Sequence, residues 1–245
     1  MKSIALTLGG VVCFSFFVQA KNKIEKLELG KQWSDTGIIS TDYAATAKKY
    51  MDMKREDSAM IFFEKAFAIE KTDAQKSEYA QKLAAYYKEK KNYLPESKWL
   101  GEIYKYKKDA NNVDLFNWGV ACFNGHDFVN ADTAFSMYER KYPTQTYGYY
   151  WAAKSCAAID NTMESGVAIP HYEKLIEIAS KDTANKTNRT WLATAYSYIA
   201  AFKANKFKDY KAALDLYDKV LLLEPANADA IKYKQILEKM IEEKK

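Results

Sequence analysis

Histidine is almost missing from this chain: His126 and His171 are the whole supply. Neither has a Cys, Asp or Glu at the short spacing of a zinc motif, so no metal site is expected. Cysteine is nearly as scarce, at Cys13, Cys122 and Cys156, which is too few for a disulfide framework. There is no G-x-S-x-G, no Gly-rich phosphate loop and no H-E-x-x-H. Carboxylate pairs such as Glu242-Glu243 fall on solvated helix ends, with no apolar pocket to raise a pKa. No catalytic residue and no cofactor are expected, and the chain reads as a non-enzyme. Four prolines, nine glycines and few β-branched runs leave little to break a helix. An excess of one charge is lacking too. The formal net charge is +5, and the lysines are interspersed with acids at helical spacing, which argues against a nucleic-acid partner.

Only one long apolar run exists, and it lies at the start. Lys2 is followed by the apolar stretch Ile4 to Val18 and then by Val18-Gln19-Ala20, a small-x-small cleavage signature. Residues 1–20 therefore read as a signal peptide, and the mature chain would begin at Lys21. A membrane anchor would need a longer run without Ser and Gly. A lipidated Cys13 would need a small residue just before it, where Val12 stands. The expected location is exported, in the periplasm or at the cell surface of a Gram-negative bacterium, with no integral membrane segment in the mature chain. Residues 21–39 form a polar lead-in with Ile24, Leu27, Leu29 and Trp33 as its apolar points.

What the chain does have is a repeat. Leu115-x-x-Trp118-Gly119-x-x-Cys122 is followed by Ala131-x-x-x-Phe135 and Pro143. Tyr43-x-x-Thr46-Ala47-x-x-Tyr50 and Ala59-x-x-x-Phe63 share that internal spacing, each 72 positions earlier. Between them, Ala80-x-x-Leu83-Ala84-x-x-Tyr87 leads to a degenerate second helix that Pro95 opens, with Ser97 as its small residue. Tyr149-x-x-Ala152-Ala153-x-x-Cys156 pairs with Ala168-x-x-x-Tyr172, with an insertion across 160–166. Tyr196-x-x-Ile199-Ala200 pairs with Ala213-x-x-x-Tyr217 and ends at Pro225. Residues 228–243 read as one more helix, whose apolar side is Ile231, Ile236, Leu237, Met240 and Ile241. Small residues let paired helices approach, and the large rings fill the space between neighbouring units.

These motifs resemble the tetratricopeptide repeat (TPR), a helix–turn–helix unit of about 34 residues. The resemblance covers about 190 residues. It implies an all-α fold: a right-handed α-solenoid of about five units over 40–243, closed by a C-terminal capping helix. No domain boundary is expected inside 40–243. Cys122 and Cys156 occupy equivalent places in consecutive units. That puts them roughly a helix diameter apart, about 10 Å, beyond disulfide reach of roughly 7 Å. Asn185-Lys186-Thr187 and Asn188-Arg189-Thr190 are glycosylation sequons, read here as a polar connection and a candidate flexible joint before Trp191.

In TPR proteins the first helix of each unit lines a concave groove. Register then places Lys48, Lys88, Phe116, Val120, Phe123, Tyr147, Tyr150 and Lys154 on that face, and Thr194, Ser197, Ala201 and Asn205 beside them. The two phenylalanines alternatively pack only against the next unit. The Lys and Asn clamp of carboxylate-binding TPR domains is not matched, since Ala44 and Lys48 stand in the first unit. The resemblance implies a non-enzymatic protein–protein interaction scaffold of the cell envelope, holding a protein or peptide segment in the groove. The alternative is a surface carbohydrate-binding protein, suggested by 19 tyrosines and five tryptophans.

Overall fold

The structure, a computed structural model, describes residues 37–243. The signal at 1–20 and residues 21–36 of the lead-in lie outside them. Among the described residues there are only helices and connections: α1 (Ser40–Asp52), α2 (Glu56–Ile69), α3 (Asp73–Glu89), α4 (Tyr93–Tyr106), α5 (Asn112–Asn124), α6 (Phe128–Lys141), α7 (Thr146–Ile159), α8 (Ile169–Ala179), α9 (Lys186–Phe202), α10 (Tyr210–Leu223) and α11 (Ala228–Glu242). A π-helical turn, Lys203–Phe207, extends α9.

The chain divides into two compact units between Glu70 and Lys71, where the sequence suggests no boundary. The first holds α1 and α2, packed on each other. Ala47, Ala59 and Phe63 are buried in this pair. The second unit holds α3 to α11 and is an α-solenoid. Each helix packs on the next in the chain, and α5 also meets α7, so first helices lie beside first helices.

The turn inside every repeat has one device. Lys54, Lys91, His126, Met163 and Lys208 all adopt positive φ, between 52° and 60°. Each follows the first helix of a pair and reverses the chain. At three of them the next residue's N–H reaches back five positions: Arg55 to the Tyr50 carbonyl, Asn92 to Tyr87 and Asp127 to Cys122, each at 2.9 Å. This is the left-handed C-terminal cap that closes a helix. The following helix is then capped by a side chain at Asp127, which accepts from the Asn130 N–H, and at Asp209, which accepts from Ala212. At α5 the cap is reciprocal. Asn111 accepts from Val113 and Asp114, and Asp114 accepts from the Asn111 N–H at 3.0 Å.

The core follows the repeat. Ala80, Ala131, Ala153, Ala168, Ala200 and Ala213 are fully buried. Phe135, Tyr172 and Tyr217 fill the spaces between pairs, and Phe135 is 0% exposed. Burying side chains of this size stabilises by about 1.5–3 kcal/mol each. Ser97 is buried at the degenerate position, and Pro95 sits in the first turn of α4, where its missing N–H costs nothing.

Two expectations need correction. The connection before Trp191 is mostly helix. Asn185 caps α9 by accepting from Thr187 (2.8 Å) and Asn188 (3.2 Å), and the helix starts nearly three turns ahead of the repeat signature. Asn188 in turn donates to the Asp182 carbonyl. Both sequon asparagines therefore serve the helix start. The capping helix also covers less than expected. In α11 only Ala230 and Leu237 are buried, while Ile231, Ile236 and Met240 stay 38–40% exposed. The cause is that α11 packs on α10, through Tyr233 stacked on Tyr217, and leaves the side towards α9 open.

Candidate partner-binding face

The first-helix face carries a continuous set of rings. On α5, Phe116 meets Tyr147 of α7 edge-on with centroids 5.7 Å apart, and Trp151 at 6.3 Å. Phe123 meets Trp151 at 5.2 Å. On the other side of α7, Tyr150 stacks on Trp191 of α9 at 4.4 Å and 11°, and Tyr147 meets the same indole edge-on at 5.0 Å. Edge-on and offset contacts in this range are the favoured ring geometries. Six rings from three helices thus form one strip.

Lys154 crosses the strip. Its ammonium lies 4.8 Å from the Trp151 centroid, 5.1 Å from Phe123 and 5.6 Å from Tyr150. Three ring faces hold one cation in place, which fixes a positive charge on an otherwise apolar surface. Burial pushes the Tyr150 phenol above its ordinary value, opposed by a hydrogen bond with Thr194.

The expected site residues therefore divide. Phe116, Phe123, Tyr147, Tyr150 and Lys154 come together. Val120 packs against the same core cluster as Phe116, Phe123 and Trp151, and it also lines a cavity of about 490 Å³ with Lys88, Gln81, Ala85 and Asn117. Lys48 is exposed and belongs to the first compact unit. The phenylalanines do pack. Phe116 packs its edge on Phe135 and Tyr138 of the core, yet it and Phe123 remain half-buried at the surface. Tyr147 is 47% exposed.

Trp151 and Trp191 escape the sequence reading. Trp151 is one residue from a groove position, and the 34-residue register assigns its place to Asn117 in the preceding unit. Trp191 precedes the repeat signature altogether, in the extra turns that Asn185 caps.

Along α9 from Trp191, Thr190 and Thr194 border a cavity of about 780 Å³. Thr194, Ser197, Ala201 and Asn205 line it, as register expects of the last unit, and Tyr198, Ile236 and Met240 complete its apolar wall. The uncovered side of α11 is one wall of this cavity.

No family model matches the chain. No curated protein matches it either. Solved structures do. The C-terminal part of a TPR repeat-containing protein from Cytophaga hutchinsonii aligns at a TM-score of 0.58, with 22% identity, over 89% of this chain and 83% of that one. YrrB, a TPR protein with an unusual peptide-binding site, aligns at 0.51, with 14% identity, over 80% of this chain and 92% of its own. The chain has the TPR fold. Among the described residues, no helix is long and apolar enough to cross a membrane.

Proposed function

We propose that this protein is a non-enzymatic interaction scaffold that holds an extended or helical segment of a partner protein along its first-helix face. The observation that carries this reading is the strip of Phe116, Phe123, Trp151, Tyr147, Tyr150 and Trp191 with Lys154 held over three of its rings. Rings supply burial at low entropic cost, and a pre-placed ammonium selects an acidic side chain and sets register. The segment is therefore acidic and partly apolar. Its apolar end reaches the 780 Å³ cavity, whose size suits one or two large side chains. YrrB supports the reading only as another TPR protein with a peptide-binding site.

The place of action in this proposal is the cell envelope, on the strength of the Lys2, apolar-run and Val18-Gln19-Ala20 order. Protein recovered from the envelope should begin at Lys21. An intact Met1, or a lipid on Cys13, overturns the compartment.

Pull-down from envelope extract identifies the partner, and titration of its binding segment tests the strip. Phe123→Ala and Tyr150→Ala should each weaken that binding by about 1–3 kcal/mol, the range for a central anchor. Melting of both variants is followed in parallel. If both melt lower yet bind normally, the rings are core and the partner sits elsewhere. A glycan array run beside it tests the carbohydrate alternative, and saturable glycan binding lost in Tyr150→Ala would replace the scaffold reading.

A further inference from the structure

A chemistry that no short motif announces is assembled on α6, α7 and α8, of which only α7 also carries the strip. Asp132 of α6, Cys156 of α7 and His171 of α8 each offer a donor atom, and these atoms lie within 4.8 Å of one another. Cys156 is five residues beyond Trp151, about 140° round the helix, so the cluster faces away from the aromatic strip. The thiol is buried, and the carboxylate and imidazole are half-buried, so solvent and ions reach the cluster from one side.

Three features fit a metal. The donors are a sulfur, a nitrogen and an oxygen, a mixed set that suits a borderline cation such as Zn²⁺ and not Mg²⁺ or Ca²⁺. Their separations are close to a coordination shell. Zinc bonds of about 2.0–2.3 Å put tetrahedral ligands roughly 3.3–3.8 Å apart. Cys156 Sγ already stands 3.3 Å from Asp132 Oδ1, and the other edges need closure of about 1.5 Å or less, within reach of side-chain rotation. The third feature is the support behind the histidine. Glu139, one side of α6 with Asp132, binds His171 Nδ1 through Oε1 at 2.7 Å, with side chains 14% and 21% exposed. A carboxylate on one ring nitrogen fixes the imidazole and leaves the other nitrogen to a metal, the usual second layer of a zinc site.

We infer that Asp132, Cys156 and His171 form a zinc site, with Glu139 orienting the histidine and a fourth position left for water or a donor from a bound partner. On binding, Zn²⁺ takes the place of the thiol proton, which passes to solvent, and the S–H to Asp132 hydrogen bond becomes two ligands on one ion. Helices α6, α7 and α8 are thereby tied together across the unit boundary between the third and fourth repeats.

The test is titration of the full-length protein, stripped with a chelator, with Zn²⁺ and with Co²⁺ as a spectroscopic stand-in. One equivalent should bind, Zn²⁺ should raise the melting temperature, and the Co²⁺ form should show thiolate-to-cobalt charge transfer. Cys156→Ser should abolish the charge-transfer band. His171→Gln should lower affinity by at least tenfold. Glu139→Gln should weaken binding by about 10–100-fold while leaving the band in place, as expected for an outer-layer carboxylate. Cys122→Ser, the other buried thiol, should change nothing. The inference is overturned if folded wild-type protein takes up no stoichiometric metal, if Cys156→Ser keeps both affinity and band, or if the band disappears with Cys122→Ser. Circular dichroism of each variant separates lost metal from lost fold, and the wild-type titration decides the matter even where a variant does not fold.

Discussion

Gly119→Leu tests the packing on which both the fold and the aromatic strip depend. A Cβ built at Gly119 would lie 2.6 Å from Phe135 Cζ, 2.7 Å from Cε1 and 3.0 Å from Cε2. Real carbons do not approach so closely, so the ring or the helix must move. The ring has little freedom. It is fully buried, stacks on Trp151 at 5.9 Å and 22°, and meets Phe116 edge-on at 6.0 Å. Overpacking of this kind costs about 1–3 kcal/mol, and a leucine side chain belongs at the upper end. Leucine also favours the helix over glycine by about 0.8 kcal/mol, which offsets part of the loss. The net loss of about 1–2 kcal/mol should lower the melting temperature by roughly 2–8 °C in a chain of this size. Circular-dichroism melts of wild type, Gly119→Leu, Phe135→Leu and the double variant read it out. The double variant should lose less than the two singles together, because Phe135→Leu makes room for the new side chain, with a coupling of about 0.5–3 kcal/mol. An unchanged melting temperature for Gly119→Leu, or strict additivity in the cycle, would show that α5 and α6 do not meet in this register.

How far the sequence discloses this molecule depends on how local each cause is. Gly119, Ala131 and Phe135 are legible because close approach of two helices demands small residues at a fixed spacing, and that spacing recurs. The left-handed turns are not legible. Lys54, Lys91, His126, Met163 and Lys208 carry the conformation with no glycine to announce it, and the strain is offset by the backbone bonds of the cap. Phe116, Phe123, Tyr150 and Lys154 are legible as a face because 3.6-residue periodicity fixes the side of each helix. Trp151 is lost to a one-residue shift of register, and Trp191 to a helix that begins before its repeat. The Asp132, Cys156 and His171 cluster is invisible for a different reason. Metal motifs are recognised by short spacing, whereas these donors are brought together by three helices over some 40 positions of chain. The open side of α11 also follows from tertiary contact. Ile236 and Met240 have the periodicity of a buried stripe, but the helix leans on α10 and leaves them beside a cavity.

The left-handed turns predict a gain. Lys91 is exposed with φ of 52°, and Lys91→Gly removes the steric cost of that conformation, which outweighs glycine's entropy loss. A melt should show a rise of roughly 1–4 °C, and a fall would mean the turn is held by the lysine side chain. Asp160 predicts an acid limit. Burial works to raise its pKa, but hydrogen bonds from the Gly166, Ser165 and Glu164 N–H groups outweigh it and hold the value below the ordinary 3.8. Its folded pKa is depressed, so the stability it contributes is complete above the unfolded value and is lost as pH falls through the folded one. Asp160→Asn should therefore lower the melting temperature at neutral pH and converge with wild type under strongly acid conditions; parallel curves at every pH would refute the linkage. The last prediction concerns the start of α9. Asn185 accepts from two N–H groups that the helix cannot satisfy itself, and those first turns carry Trp191 to its stack on Tyr150. Asn185→Ala should cost about 0.5–2 kcal/mol, the usual loss of an N-cap. The loss is local, so amide exchange should rise through 186–191 while α5 and α6 keep their protection. Trp191 would then leave Tyr150 part of the time, and an acidic segment bound along the strip should bind more weakly although Asn185 touches none of the rings. Unchanged exchange in 186–191, or faster exchange in α5 to the same degree, would show that these turns are not an independent extension held by their cap.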